Sequence, residues 1–278
     1  MKIKGPGSKR YVLASDFDQT LSFNDSGQIL AEMLGINDFD ERVKRLSQVN
    51  IVQQGGELAY MILHDPDFSK VRREHLAEVG RKIRLKANID VLYHLLQQGI
   101  YDYSFDFFVI SAAPVEVIQS ALSGIIPQEH IYGAEFEYDP ETHRVKSLRR
   151  VPAGYGKVAV LNSLLGKLKV SQDKVIYVGD GNSDIHVMLN VNHHRGLTIA
   201  VSESRHISQI AQRTVLSDDT FSILVPVLEE IMGFDFHDIT DFMNDKGLHI
   251  QEWNKGRTDW ISIEKAVNSN LSLSEVQA

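Results

Sequence analysis

The apolar stretch Tyr11-Val12-Leu13-Ala14 is followed, after Ser15, by Asp16-Phe17-Asp18-Gln19-Thr20. A short apolar run of this kind reads as a buried strand, which brings two carboxylates and a hydroxyl together at its C-terminal end. Side chains alternate along an extended chain, so Asp16 and Asp18 share a side, and paired carboxylates there can hold a divalent cation. One of them could attack phosphorus while the other handles protons. Taken alone, the pattern also fits a solvated strand-to-loop junction.

A second strand-like run, Lys174-Val175-Ile176-Tyr177-Val178, ends in Gly179-Asp180-Gly181-Asn182-Ser183-Asp184, before the helix-like Ile185-His186-Val187-Met188-Leu189. The glycines let the backbone turn sharply and approach a ligand, and Asp180 and Asp184 add carboxylates; an ordinary Gly-Asp turn is the alternative. Between these motifs, residues 105–110 read as a strand that presents the Ser111 hydroxyl at its end, with Pro114 suited to a helix start. Ser111 as an ordinary N-cap is compatible with that role. Gly154-Tyr155-Gly156-Lys157 opens a helix-like run through Val158, Val160, Leu161, Leu164 and Leu165, seating a cation in the first turn against the helix dipole. Most lysines are solvated surface charges; one at a helix start makes more sense with carboxylates and a phosphate nearby.

The ordered set Asp16/Asp18, Ser111, Lys157 and Asp180/Asp184, each at the edge of an expected strand or helix, resembles the haloacid dehalogenase (HAD) superfamily. The resemblance covers roughly residues 8–23 and 88–232 and is most similar to the phosphoserine-phosphatase-type branch, with a helical cap inserted after the first motif. It implies a Mg²⁺-dependent phosphomonoester hydrolase that acts on a small phosphorylated metabolite through an aspartyl-phosphate. Asp16 would be the nucleophile. Asp18 would protonate the leaving oxygen and then deprotonate the attacking water, with neighbouring carboxylates raising its pKa. Mg²⁺ would be held by Asp16, the backbone carbonyl of Asp18, and Asp180. Ser111 and Lys157 would grip the phosphoryl oxygens, with Lys157 also pairing to Asp16. Asp184 would orient Lys157 or a metal-bound water, and Thr20 would fix the loop after the nucleophile.

Two departures from the family pattern stand out. Many relatives carry Asn immediately before the last Asp, whereas Ser183 stands there and Asn182 is shifted by one place. Phosphoserine phosphatases have an acidic residue five positions after the motif Thr, which Asp25 matches, and a cap arginine that reads the substrate carboxylate. Residues 53–64 offer no such arginine, which disfavours phosphoserine itself. Asp25 can read substrate or act as an N-cap or loop carboxylate.

The order of elements predicts an α/β fold. Short apolar runs at residues 11–15, 107–111, 175–179, 197–201 and 214–216, separated by helical stretches, imply a doubly wound parallel sheet whose motif residues all sit at carboxyl ends of strands. Residues 131–138 and 144–149 read as a β-hairpin. From residue 24 to 87 the pattern is helical and charged, with stops at Gly35, Gly55-Gly56 and Asp65-Pro66-Asp67, which predicts three or four short helices. The expected organisation is a Rossmann-like core (1–23 and 88–232), a helical cap (24–87) and a C-terminal extension (233–278) that carries Trp253 and Trp260 and ends in a polar, disordered tail at 268–278.

With 278 residues and 43% apolar content, the chain can fill a good core plus one further domain. It has no cysteine, no apolar leader in Met1 to Arg10 and no apolar run of 18 residues, so a cytoplasmic setting without a membrane partner is expected. A net charge of −8 argues against a broad nucleic-acid surface. His193-His194, in the polar connection 190–196, reads as solvated loop rather than a metal site. Arg72-Arg73 and Arg81-Lys82 read as a solvated helix face that would favour anionic substrates only if it reached the cleft. A carbon–halogen hydrolase would not need Asp18. The remaining rivals are a phosphomutase, which passes its phosphoryl group to a sugar phosphate, and a phospholigand-binding regulator without turnover. Oligomeric state leaves no mark in the sequence.

Overall fold

The structure is a computed structural model that describes residues 9–49, 54–254 and 258–265; the tail at 268–278 lies outside the described residues. Its strands are β1 (Lys9–Ser15), β2 (Tyr103–Pro114), β3 (Ile131–Tyr138), β4 (Val145–Arg150), β5 (Val175–Gly179), β6 (Leu197–Ala200), β7 (Arg213–Leu216), β8 (Leu248–Asn254) and β9 (Thr258–Lys265). They form one sheet in the order β4-β3-β2-β1-β5-β6-β7-β9-β8. Strands β3 through β9 in that order pair parallel, and only the outermost β4 and β8 run antiparallel to their neighbours.

Four helices follow β1: α1 (Ser26–Leu34), α2 (Phe39–Ser47), α3 (Glu57–His64) and α4 (Arg73–Lys82). The remainder are α5 (Ile89–Gln98), α6 (Val115–Ala121), α7 (Tyr155–Leu168), α8 (Ile185–His193), α9 (Arg205–Ile210), α10 (Leu224–Met232) and α11 (Phe236–Asp245). Alternation along the strands explains the layering. Leu13, Phe107, Val109, Ile176 and Val178 pack with α5, α10 and the helices α1 to α4, whereas Val12, Ala14, Phe108, Ile110 and Tyr177 pack with α7 and α8. A sheet buried on both faces needs strands apolar on both sides, which is why these runs are continuous rather than alternating.

The expected strands are present, with longer boundaries in one case. β2 begins at Tyr103 because Tyr103 to Asp106 pair in register with Lys9 to Val12, despite the polar Ser104 and Asp106. The hairpin β3–β4 forms, but its first strand is also a sheet member, pairing with β2. Helix α8 runs on to His193, one turn further than the polar look of the segment suggests, because Val191 is buried against the core and His194 Nδ1 lies 2.8 Å from the Asn190 carbonyl. After Gly233, where the core pattern stops in the sequence, α11 and the pair β8–β9 extend the sheet beyond β7. No helix among the described residues is long and apolar enough to cross a membrane.

The segment between β1 and α5 leaves and rejoins the sheet through two paired stretches. Phe23 N–H donates to the Arg84 carbonyl at 2.9 Å and Lys86 N–H to the Leu21 carbonyl at 3.0 Å. Within it, Gly35 ends α1 in the left-handed region (φ 74°) and Asp65 caps the short turn Pro66–Phe68. Gly55-Gly56 precedes α3, with Gly56 as its N-cap, rather than ending a helix.

Candidate active site

The sheet order runs outward from β1 in two directions, through β2 and β3 on one side and β5, β6 and β7 on the other. Ligands of open α/β sheets bind outside the carboxyl ends of strands where the order divides in this way. There Asp16 N–H donates to the Val178 carbonyl at 2.9 Å, tying the end of β1 to the end of β5 and placing Asp16 beside Asp180. On the other flank, the β2–β3 ladder loses register between Ile110 and Pro114. Such an irregularity re-aims a side chain, and Ser111 falls inside it, buried, with its hydroxyl against Asp16.

Lys157, in the first turn of α7, reaches the same point from below the sheet. Its ammonium is wholly buried, 2.7 Å from Asp16 Oδ2 and 2.6 Å from Asp184 Oδ1. The Tyr177 hydroxyl donates to the same Asp184 oxygen at 2.6 Å, and the other Asp184 oxygen accepts the backbone N–H groups of Asp180 and Gly181, each at 3.2 Å. Gly179 is required here: a Cβ at that position would meet Asp184 Oδ2 at 2.5 Å. Asp184 is thus saturated by the protein and acts as the anchor of Lys157. Tyr177 looks in the sequence like one more core residue of β5, and its only signal is a polar tip within an otherwise apolar run.

Thr20 donates to Asp180 Oδ1 at 3.2 Å, so it orients a carboxylate across the site in addition to ending the turn that begins at Phe17. Ser26 donates to Asp18 Oδ2 at 2.6 Å, a contact with no signal in the local sequence, while Asp18 Oδ1 is shut off from solvent with no hydrogen-bond partner. Asp25 is the N-cap of α1, its Oδ1 accepting from Gly27 N–H at 2.8 Å and Gln28 N–H at 3.0 Å. Asn182 and Ser183 lie in the turn after β5 and line the same cavity of about 460 Å³ as Asp16, Asp18, Ser111 and Asp180. Of the basic cap residues, Arg73 lies 3.8 Å from Glu116 and Arg81 pairs with Glu78 at 2.5 Å; none of Arg72, Arg73, Arg81 and Lys82 lines this cavity. His193 and His194 stack edge to face at the end of α8, away from the cavity lining.

Electrostatics follow from packing several acids around one cation. Burial pushes the Asp16 carboxyl up, against the pull of Lys157 and with the help of Asp184, to about 6. Asp18 is raised well above the ordinary carboxylate value by burial first, then by Asp25 and Asp16. Asp180 is likewise raised by burial and by Asp16 and Asp184. Burial acts to lower the Lys157 pKa, but Asp16 and Asp184 together hold it above its usual value, so the ammonium stays charged. Asp16, Asp180 and Asp184 each offer an oxygen within 4.8 Å of the others. With Lys157 paired to Asp16 and Asp184, and Lys86 acting on Asp180 from a neighbouring cleft, the three carboxylates and the Asp18 carboxyl still outnumber the cations, the condition a divalent cation relieves. With Asp184 fully hydrogen-bonded, Asp16 and Asp180 are the side chains of that trio able to ligate.

A doubly wound sheet with acidic residues at the ends of adjacent strands and a buried lysine between them defines a hydrolase class. The haloacid dehalogenase-like hydrolase family model matches residues 13–189, more than half of the chain, and the chain belongs to that family. Among curated proteins it is similar to 2-hydroxy-3-keto-5-methylthiopentenyl-1-phosphate phosphatase of Bacillus cereus (strain AH187), 26% identical over 212 residues, covering 72% of this chain and 90% of the relative. The protein of the same name from Bacillus anthracis (strain A0248) is 26% identical over 206 residues, covering 69% and 87%. Among solved structures, the fold is shared with a substrate-bound phosphoserine phosphatase (TM-score 0.60, 16% identity, 78% of this chain and 97% of that one). It is also shared with a phospho-aspartyl intermediate analogue of phosphoserine phosphatase (TM-score 0.61, 16% identity, 78% and 98%).

Proposed function

We propose that this chain is a Mg²⁺-dependent phosphomonoester hydrolase that acts on a small phosphorylated metabolite through an aspartyl-phosphate on Asp16. The observation that carries the reading is the pairing of two differently supported carboxylates in one cavity. Asp16 is held against a buried ammonium at 2.7 Å, and Asp18 has an oxygen without a partner. A nucleophile needs the first environment and a general acid the second.

Lys157 keeps Asp16 ionised against the cost of burial, so the carboxylate is ready for in-line attack as the phosphoryl group arrives. Asp18, protonated because burial and Asp25 raise its pKa, gives its proton to the leaving oxygen and, as carboxylate, then takes one from the water that hydrolyses the intermediate. Ser26 fixes the Asp18 rotamer through Oδ2, which leaves Oδ1 for that exchange. Ser111 and Lys157 hold the phosphoryl oxygens, and Asp184, locked by Tyr177 and two backbone N–H groups, keeps Lys157 in place. The acidic excess fits Mg²⁺, which Asp16, Asp180 and the Asp18 carbonyl would hold; when bound, the ion offsets charge on the phosphoryl group. The helices α1 to α4 form the cap, and the lining that α1, α2 and α3 give the cavity shields the intermediate from water.

Support comes from the family membership and from the curated relatives, which bear phosphatase names. The test is release of phosphate from p-nitrophenyl phosphate and a panel of phosphorylated metabolites, with Mg²⁺ and with EDTA. Activity that EDTA removes and that Asp16→Asn abolishes is expected, and full activity in that variant would sink the nucleophile assignment.

A further inference from the structure

We infer that Arg42 is the positioning residue that sets the cavity wall formed by α2 and, through that wall, the fit of the leaving group; this rests on the phosphatase reading above. Helix α2 has little of its own to hold it. Its nine residues bury one side chain, Phe39, and an isolated helix of that length is marginal in water. Asp38 stands at its N-cap but makes no capping bond. By contrast, α1, α3 and α4 each bury two or more apolar side chains. Yet Phe39, Asp40 and Val43 line the cavity that holds Asp16, so the position of α2 decides the shape of the site.

Arg42 does not line that cavity and instead ties α2 to the turn after α3. Each guanidinium nitrogen meets a different carboxylate: Nε lies 2.8 Å from Asp38 Oδ1, Nη1 2.7 Å from Asp65 Oδ2 and Nη2 2.8 Å from Asp67 Oδ2. The far side of the tie is firm. Asp65 accepts the Asp67 N–H at 3.0 Å with its other oxygen, and Phe68 in the same turn is fully buried, its ring centroid 6.5 Å from that of Phe39. A lysine could not serve three carboxylates in this way, since its ammonium is a point charge without the planar fork. Three aspartates around one cation also mean that removing the cation does more than cut a tie. Asp38 on α2 would then face Asp65 and Asp67 uncompensated, and the helix would be pushed off the turn.

The test compares phenyl phosphate, whose ring is large enough to reach the α2 wall, with methyl phosphate, which is too short, in the full chain with Mg²⁺. Arg42→Met should raise KM for phenyl phosphate about tenfold with kcat held within about twofold, and should leave kcat/KM for methyl phosphate within about twofold. Adding Asp65→Asn and Asp67→Asn to Arg42→Met removes the repulsion and should recover most of the lost KM, a rescue that a general loss of structure would not show. Hydrogen exchange followed by mass spectrometry should be faster over residues 39–47 of Arg42→Met and unchanged over 26–34 and 73–82, a readout that needs no turnover. Arg42→Lys supplies the same measurements if the methionine variant does not fold. Equal losses on the two esters, an unchanged KM for phenyl phosphate, or unaltered exchange over 39–47 would overturn the inference and leave the phosphatase reading in place. Turnover of neither ester by the unaltered protein would overturn the phosphatase reading and, with it, the role of Arg42 in leaving-group fit.

Discussion

Replacing Lys157 with methionine keeps most of the side-chain stem and removes the charge. In the folded protein the ammonium lies 2.7 Å from Asp16 and 2.6 Å from Asp184, with all three groups buried. Removing one partner from a buried ion pair costs about 3–5 kcal/mol, because the remaining charge is left uncompensated. At roughly 2–4 °C per kcal/mol for a chain of this size, Tm should fall by roughly 6–20 °C. The loss must also depend on pH. Without the lysine, the Asp16 pKa rises above its present value of about 6, so the folded state binds a proton that the unfolded state releases. A raised folded-state pKa stabilises fully below the unfolded value and ceases to do so as pH rises through the folded value. The variant should therefore be penalised less at pH 5 than at pH 8. Lys157 itself titrates above both, since its pKa is raised from 10.5. Urea denaturation followed by circular dichroism, in EDTA at both pH values, measures the penalty. Equal penalties at the two pH values, or a loss below about 1 kcal/mol, would refute the assignment of Lys157 as the charge that holds Asp16 and Asp184.

The same carboxylates govern metal-linked stability. With burial raising the Asp16, Asp18 and Asp180 pKa values, the metal-free protein should lose stability as pH rises above the ordinary carboxylate range, through about 6 for Asp16, and Mg²⁺ should restore more at pH 8 than at pH 5. Mg²⁺ at 100 times its Kd gives about 2.7 kcal/mol, and a thermal-shift series showing the larger gain at pH 5 would contradict the ligand assignment. Tyr177→Phe removes a 2.6 Å hydrogen bond to Asp184, the ion-pair partner of Lys157, so a loss of about 1.5–3 kcal/mol is expected by denaturation. Gly55 has φ +90° and would place a Cβ 2.5 Å from the Ser183 Cβ, so Gly55→Val should push α3 off the turn after β5. It should lower kcat/KM on p-nitrophenyl phosphate by about a hundredfold, and wild-type turnover in that variant would show that this contact is not needed.

Legibility in the sequence followed burial. β1, β5 and β6 are covered on both faces, so their apolar runs are continuous and easily read, and the acids that close β1 and β5 stand out against them. β8 and β9 lie at an edge and mix His249, Glu252, Asp259 and Glu264 into the strand, so no such run announced them. Asp16, Ser111, Lys157 and Asp180 could be placed because each closes a strand or opens a helix. Ser26 and Tyr177 could not, because a serine in a first helical turn and a tyrosine in an apolar strand have ordinary explanations. Asp25 shows a different limit: its capping bonds are local and foreseeable, whereas its influence on Asp18 and Glu57 arises only once α1 and α3 are folded over the sheet.

The paired stretches at Leu21 to Phe23 and Arg84 to Lys86 have an evolutionary consequence. The bonds from Phe23 to Arg84 and from Lys86 to Leu21 close the inserted segment at its base, and the Val145 N–H bond to the Val71 carbonyl ties it a second time to the edge of the sheet at β4. The side chains that face the cavity from α1 to α3 can change while these ties keep β1, α5 and β4 in their places. Under the function proposed above, reaction chemistry and substrate choice can therefore drift at different rates, the first held by the ends of β1 and β5 and the second by the cavity-facing side chains of α1 to α3.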